Sequence, residues 1–143
     1  MATALQMNFC VFCTRLHTLE VLFEDARTAI ILHEDWAVRG HVMVVWKAHV
    51  ENISNLTSDE WIHFAAIYRT AERTLLELTG ADRAIVIKLG IATPHLHFHI
   101  YPVPAALSRA EVMEIIDARR KEAVDPAFVA ALRAALDRAL STE

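Results

Sequence analysis

The ten residues TPHLHFHIYP, positions 93–102, restrict the fold more than any other stretch. Histidines stand at every second position, at His95, His97 and His99, with Leu96, Phe98 and Ile100 between them. An extended chain sends alternate side chains to opposite faces. On a strand the three imidazoles share one face and the three apolar residues share the other. A helix would scatter both sets around its axis, and the flanking Pro94 and Pro102 also oppose a helix. The spacing therefore predicts a short strand with an apolar face toward a core and an imidazole face toward a groove. Three rings in a groove can grip a metal, bind a phosphoryl group or supply a nucleophile.

The first half of the chain reads as further strands. EVLFED (20–25) and RTAIILH (27–33) are separated by a charged turn, and HVMVVW (41–46) follows Gly40. A long helix is predicted over about 58–79. Thr57 and Glu60 match a capping box, Gly80 is placed to end it, and Trp61, Ala65, Tyr68, Leu75 and Leu76 recur near helical spacing. RAIVIKLG (83–90) reads as a buried strand that leads into the histidine strand. Ser108 and Glu111 cap a helix running to about Lys121. Asp125 and Pro126 start a last helix, whose Phe128, Val129, Leu132, Leu136 and Leu140 form an apolar stripe to pack on the sheet or on another subunit. The expected fold class is α+β: an antiparallel sheet, one long central helix and a C-terminal helical extension, in a single domain over 1–143.

At 143 residues the chain can bury a core without a disulfide staple. The net charge of −4 and the lack of a basic block argue against a nucleic-acid partner. The N-terminus lacks the pattern of a signal peptide, and apolar runs such as VMVVW are too short to span a bilayer. A soluble, cytoplasmic protein with no membrane partner is the expectation. Cys10 and Cys13 form the one C-x-x-C. That spacing suits a metal clip, and two inert core cysteines are the plain alternative. A redox pair fits less well, because the motif does not lie between a strand and a helix.

The run from His95 to Tyr101 resembles the histidine triad (HIT) family at every position of its pattern, His-φ-His-φ-His-φ-φ with φ apolar. FCVFC (9–13) is similar to the C-x-F-C opening of many members. RGHVMVVWKAHVENISNL (39–56) is similar to the family's P-G-H-x-L-V-I-P-K-x-H-x-x-x-L-x-x-L segment, with Gly40, His41, Lys47, His49, Ile53 and Leu56 in register. The resemblance spans about 9–104 and implies a five-stranded HIT-like sheet. It further implies nucleotide chemistry, in which the middle histidine, His97, attacks an α-phosphorus and forms a covalent nucleotidyl-histidine. His99 would donate to the phosphoryl oxygens, the His95 carbonyl would hold the far nitrogen of His97, and His41 would support the triad from the neighbouring strand. Taken alone, His41 reads equally as a satisfied structural histidine. Zinc-binding members imply a structural zinc held by Cys10, Cys13, His49 and His95. Val11, Phe12 and Ile31 occupy positions matching the family's base pocket, though each also suits a plain core. Relatives usually form homodimers.

The chain departs from the family in two places. His33 stands where the family carries an aspartate for the ribose hydroxyls, with the acids Glu34 and Asp35 beside it. The family's N-x-G and G-Q before the triad are replaced by KLGIATP (88–94), in which Lys88 or Thr93 would have to handle phosphates. The expected function is a nucleotidyl hydrolase or transferase acting on phosphoramidates, nucleotidyl esters or dinucleoside polyphosphates. Two alternatives stand beside it: a nucleotide-binding module with little activity, and a hydrolase with catalytic zinc on the three strand histidines.

Overall fold

The computed structural model describes residues 2–33, 36–118 and 121–141. Five strands, β1 (Val21–Glu24), β2 (Thr28–Leu32), β3 (Val42–Trp46), β4 (Arg83–Ile87) and β5 (His97–Val103), form one antiparallel sheet in the order β1-β2-β3-β5-β4. The β1–β2 turn is tied by Asp25, whose Oδ1 accepts from the backbone N–H groups of Arg27 and Thr28 and from the Thr28 hydroxyl at 2.7–2.8 Å. This is an Asx-type turn, the local reason the two strands fold back there.

The period-two pattern divides the sheet into two faces. Leu22, Ile30, Leu32, Val42, Val44, Trp46, Leu96 and Ile100 lie under the long helix α3 (Ser58–Thr79) and the last helix α5 (Pro126–Leu140). The five stripe residues of α5 are all buried, each such side chain contributing about 1.5–3 kcal/mol. The inward face of α3 is Phe64, Ile67, Ala71 and Leu75, spaced by three and four residues. Of the set read from the sequence, Leu75 lies on this face, whereas Trp61 is 38 % exposed and Ala65, Tyr68 and Leu76 are only half-buried. The caps of α3 are as expected, with Thr57 and Glu60 reciprocally bonded and Gly80 left-handed at φ 73°.

Four elements differ from the sequence expectation, the first being β4, whose sequence reads as buried but which is an edge strand with no fully buried residue. The N-terminus is helical, with α1 (Ala4–Asn8) and the single turn α2 (Val11–Thr14), neither of which has enough length for a periodic signal. The helix α4 (Arg109–Ile116) stops well before Lys121, because Ala118 turns left-handed at φ 56° and the chain returns to place the Glu122 N–H on the Trp36 carbonyl at 2.6 Å. His95 precedes β5 rather than belonging to it.

Gly40, at φ 88°, delivers the chain into β3. A Cβ there would lie 3.2–3.3 Å from Pro102, Thr79 and Leu75, so both conformation and space require glycine. Gly40→Ala is expected to lower stability by about 2 kcal/mol, read as a shift in urea midpoint at unchanged slope.

Candidate active site

The sheet face opposite the helices carries the chemistry. Register brings His99 opposite Met43 and His97 opposite Val45, so these four share a face with Ala29 and Ile31 of β2. The N-terminal turn closes over this surface and packs Cys10 and Phe12 on Ala29, Ile31 and Val45. A cleft of about 540 Å³ remains, bordered by Val11, Phe12, His33, Thr93, His97 and His99 among others.

His97 is 7 % exposed, and its Nδ1 lies 2.6 Å from the carbonyl oxygen of His95. A carbonyl only accepts, so Nδ1 carries the proton and donates, leaving the lone pair on Nε2. Among the described residues no hydrogen bond engages Nε2. Burial lowers the affinity of this ring for a proton, and the carbonyl bond offsets part of that effect. The Phe12 ring packs at centroid distances of 5.0 Å from His97 and 5.3 Å from His95, holding both rings from one side.

His99 Nδ1 lies 2.9 Å from His41 Nε2. His41 is 2 % exposed, and its other nitrogen, Nδ1, has no hydrogen-bond partner among the described residues. A buried unpaired acceptor is tolerated better than a buried unpaired N–H. That assigns the proton of His41 to Nε2, which donates to His99, and it leaves His99 with Nε2–H as a donor toward the cleft. His41 is stacked between His33, at 4.4 Å and 11°, and Tyr101, at 4.0 Å and 29°. Burial, then the neighbouring His33 and His99 rings, pushes His41 down to about 2. Burial, then His97 and His33, pushes His99 down to about 4.

These two rings give stability a defined pH dependence. In the unfolded chain they protonate near 6.5, whereas in the folded chain they stay neutral until far lower pH. Between these limits the unfolded state binds more protons, so stability is fully present above about 6.5 and falls as pH falls. Urea midpoints between pH 7 and pH 5 are expected to drop. The slope should be shallower in His99→Gln by up to about 1.4 kcal/mol per pH unit.

A second group lies beside the first. Cys10 caps α2 and Cys13 follows three residues on, so both sulfurs fall on one side of a single helical turn. The Leu96 N–H donates to the Val50 carbonyl at 2.7 Å, which brings His49 alongside His95. Cys10 Sγ and His95 Nδ1 are 3.2 Å apart, as are Cys13 Sγ and His49 Nδ1. The two Nδ1 atoms are separated by 3.1 Å, and Cys13 Sγ and His95 Nδ1 by 3.6 Å. A tetrahedral zinc with bonds of about 2.05 Å to nitrogen and 2.3 Å to sulfur spans edges of roughly 3.3–3.8 Å, close to this set. His95 Nε2 faces the Trp46 carbonyl at 2.5 Å, which fixes its proton there and turns the Nδ1 lone pair to the cluster. Burial and the adjacent Cys10 push the Cys13 thiol up to about 11, so two thiolates at this place call for a cation between them. The donor set fits a zinc ion. A larger hollow of about 800 Å³ borders Cys10 and His49 but does not include His97.

The three triad rings therefore go three ways. His95 joins the cysteines, His97 turns to its own backbone, and His99 pairs with His41. The three do not form a joint metal-binding group among the described residues, so their geometry gives no support to catalytic zinc shared by the strand histidines. Val11, Phe12, His33 and Thr93 border the cleft as expected. Ile31 does not; it is fully buried beneath the cleft. Lys88 does not border it either, and its Nζ donates to Asn52 Oδ1 at 3.3 Å. Glu34 and Asp35 lie outside the described residues. Met43, missed in the sequence reading, follows from the alternation that starts at His41. Alternation places Tyr101 on the same face as His99, but its stacking on His41 comes from the neighbouring strand and is seen only in the structure.

A family model of the HIT domain matches residues 16–105, more than half of the chain. The chain belongs to the HIT family. An uncharacterized HIT-like protein of Methanocaldococcus jannaschii is 28 % identical over 102 residues, covering 65 % of this chain and 78 % of that protein. Among solved structures, a zinc-bound histidine triad family protein from Mycobacterium smegmatis superposes with a TM-score of 0.71 at 24 % identity, covering 96 % of this chain and 99 % of its own. A hypothetical histidine triad nucleotide-binding protein from Sulfolobus tokodaii gives 0.68 at 19 % identity, covering 93 % of each chain. At these identities the superpositions establish the HIT fold. Among the described residues no helix is long and apolar enough to cross a membrane.

Proposed function

We propose that this HIT protein is a nucleotidyl hydrolase or transferase that works through a covalent nucleotide on His97. The observation that carries the reading is the 2.6 Å bond from His97 Nδ1 to the His95 carbonyl, which leaves Nε2 with its lone pair at the cleft. Nε2 attacks the α-phosphorus, and the bond from phosphorus to the leaving group breaks. The leaving group departs with the electron pair and takes up a proton from solvent, which is returned to solvent when water attacks in the second step. His99 Nε2–H donates to the phosphoryl oxygens as negative charge builds on them. Water or another acceptor then attacks phosphorus, the phosphorus–nitrogen bond breaks, and His97 is regenerated. Val11, Phe12 and Thr93 border the space for the substrate. Zinc on Cys10, Cys13, His49 and His95 is structural in this scheme; it fixes the turn that carries His95 and hence the carbonyl that orients His97.

Two displacements at phosphorus give net retention of configuration, whereas direct attack by water gives inversion. A nucleotidyl substrate with a chiral phosphorothioate at the α-position, hydrolysed in isotopically labelled heavy-oxygen water so that the product phosphorus stays stereogenic, should yield the retained product, read by phosphorus NMR, and inversion would exclude the intermediate. The rim loop 89–93 carries Leu89, Gly90, Ile91, Ala92 and Thr93, with no amide or charge to aid a leaving group. This favours, as the second reading, a nucleotide-binding module with slow turnover, which would show binding and no product across a substrate panel. Homodimers and a cytoplasmic location belong to the same proposal. The edge strand β4, with Val86 37 % exposed, supports pairing of two sheets.

A further inference from the structure

Beside the nucleophile lies a group of imidazoles that the transfer reaction only partly uses. One ring nitrogen from each of His33, His41 and His99 falls within 4.8 Å of the other two. The closest pair, His41 Nε2 and His99 Nδ1, is 2.9 Å apart. Two nitrogens bound to one ion at about 2.0–2.1 Å need only slightly more separation than that. His41 is deeply buried and held by stacking, with Nε2 turned toward His99, so ligation through Nε2 moves the ring proton to Nδ1, which is unpartnered among the described residues. His33 is half-buried at the mouth and, like His99, borders the cleft.

We propose that His33, His41 and His99 form a second transition-metal site, separate from the Cys10–Cys13–His49–His95 cluster, with its open coordination position facing the cleft. Three imidazoles select borderline ions of the zinc, cobalt, nickel and copper class over magnesium or calcium, which prefer oxygen. Imidazole ligates only as the neutral base. The residue that creates the site is His33, which completes a set that two histidines alone would leave weak. An ion held there engages His99, so excess metal would slow turnover. That consequence rests on the nucleotidyl-transfer reading, whereas the binding of the ion does not.

The test is a cobalt(II) titration of the full, zinc-loaded chain, with metal content measured after equilibrium dialysis. One cobalt per chain is expected beyond the zinc already present, with visible d–d absorption and no sulfur-to-cobalt charge-transfer band. His33→Ala should lose this equivalent or bind it more than about tenfold more weakly. His17→Ala, a change at an exposed histidine elsewhere, should keep it. No uptake by the wild-type chain overturns the site whatever the variants do. Undiminished uptake by His33→Ala also overturns it, as does a sulfur charge-transfer band, which would show cobalt entering the cysteine cluster instead. Because each readout is an equilibrium count, the site can fail while the transfer chemistry stands, and the reverse.

Discussion

His97→Ala is expected to reduce turnover of a nucleotidyl substrate by roughly 10⁴-fold or more, the scale on which removal of a covalent nucleophile acts. The zinc content, the circular dichroism spectrum and the urea midpoint should stay close to wild type. His97 borders the cleft, and its one described hydrogen bond runs to the backbone two residues away, so truncation removes the nucleophile without opening the sheet. His99→Gln should be milder. It keeps a donor near the phosphoryl oxygens, and the nucleophile remains. The separation between the two variants is itself informative: equal losses would mean that both rings act only in shaping the cleft.

The second large effect concerns the cysteines. Cys10→Ser, or exhaustive chelation, should lower stability by about 3 kcal/mol or more, seen as a fall in Tm of roughly 10 °C. The cluster ties the N-terminal turn, the segment after β3 and the approach to β5, three parts of the chain distant in sequence. Its loss should reach catalysis only through the geometry of His97. At a temperature where the Cys10→Ser protein is still folded, substrate binding should weaken less than stability does. A catalytic metal would behave otherwise, with chelation stopping turnover before any loss of structure.

The histidine strand, the long capped helix and the last helix were all legible because each rests on a local, periodic pattern. Period two separates His97 and His99 from Phe98 and Ile100, and the sheet bears out that separation. The stripe of α5 is read correctly for the same reason: five residues at helical spacing average out local irregularity. The inward face of α3 is legible only in part: Leu75 belongs to it, but Phe64, Ile67 and Ala71 complete it in place of Trp61 and Ala65. His95 shows a different limit. Alternation puts it with His97 and His99, but its ring is turned away by the Trp46 carbonyl and by Cys10 and Cys13, contacts 49, 85 and 82 residues distant in sequence.

Site residues followed the same division. Cys10, Cys13, His49 and His95 converge as the resemblance implied. Ile31 and Lys88 were placed at the cleft by position alone; the register of β2 buries the first, and the second bonds Asn52 outside the cleft lining while its charge still acts on His97. The contacts of His41 with His33 and Tyr101 depend on the separation between neighbouring strands and on how far each ring leans. No spacing within a single segment encodes those quantities. They are also what decides the tautomer of His41 and, through it, whether His99 offers a proton to the cleft.

The central claim is that His97 becomes covalently bonded to phosphorus during turnover. Intact-protein mass spectrometry on chain quenched at neutral pH, soon after mixing with a nucleotidyl substrate, tests it most directly. A mass increase of one nucleotidyl group is predicted, located on His97, released by mild acid and absent from His97→Ala. An unmodified mass throughout turnover, with cleavage undiminished in His97→Ala, would contradict it.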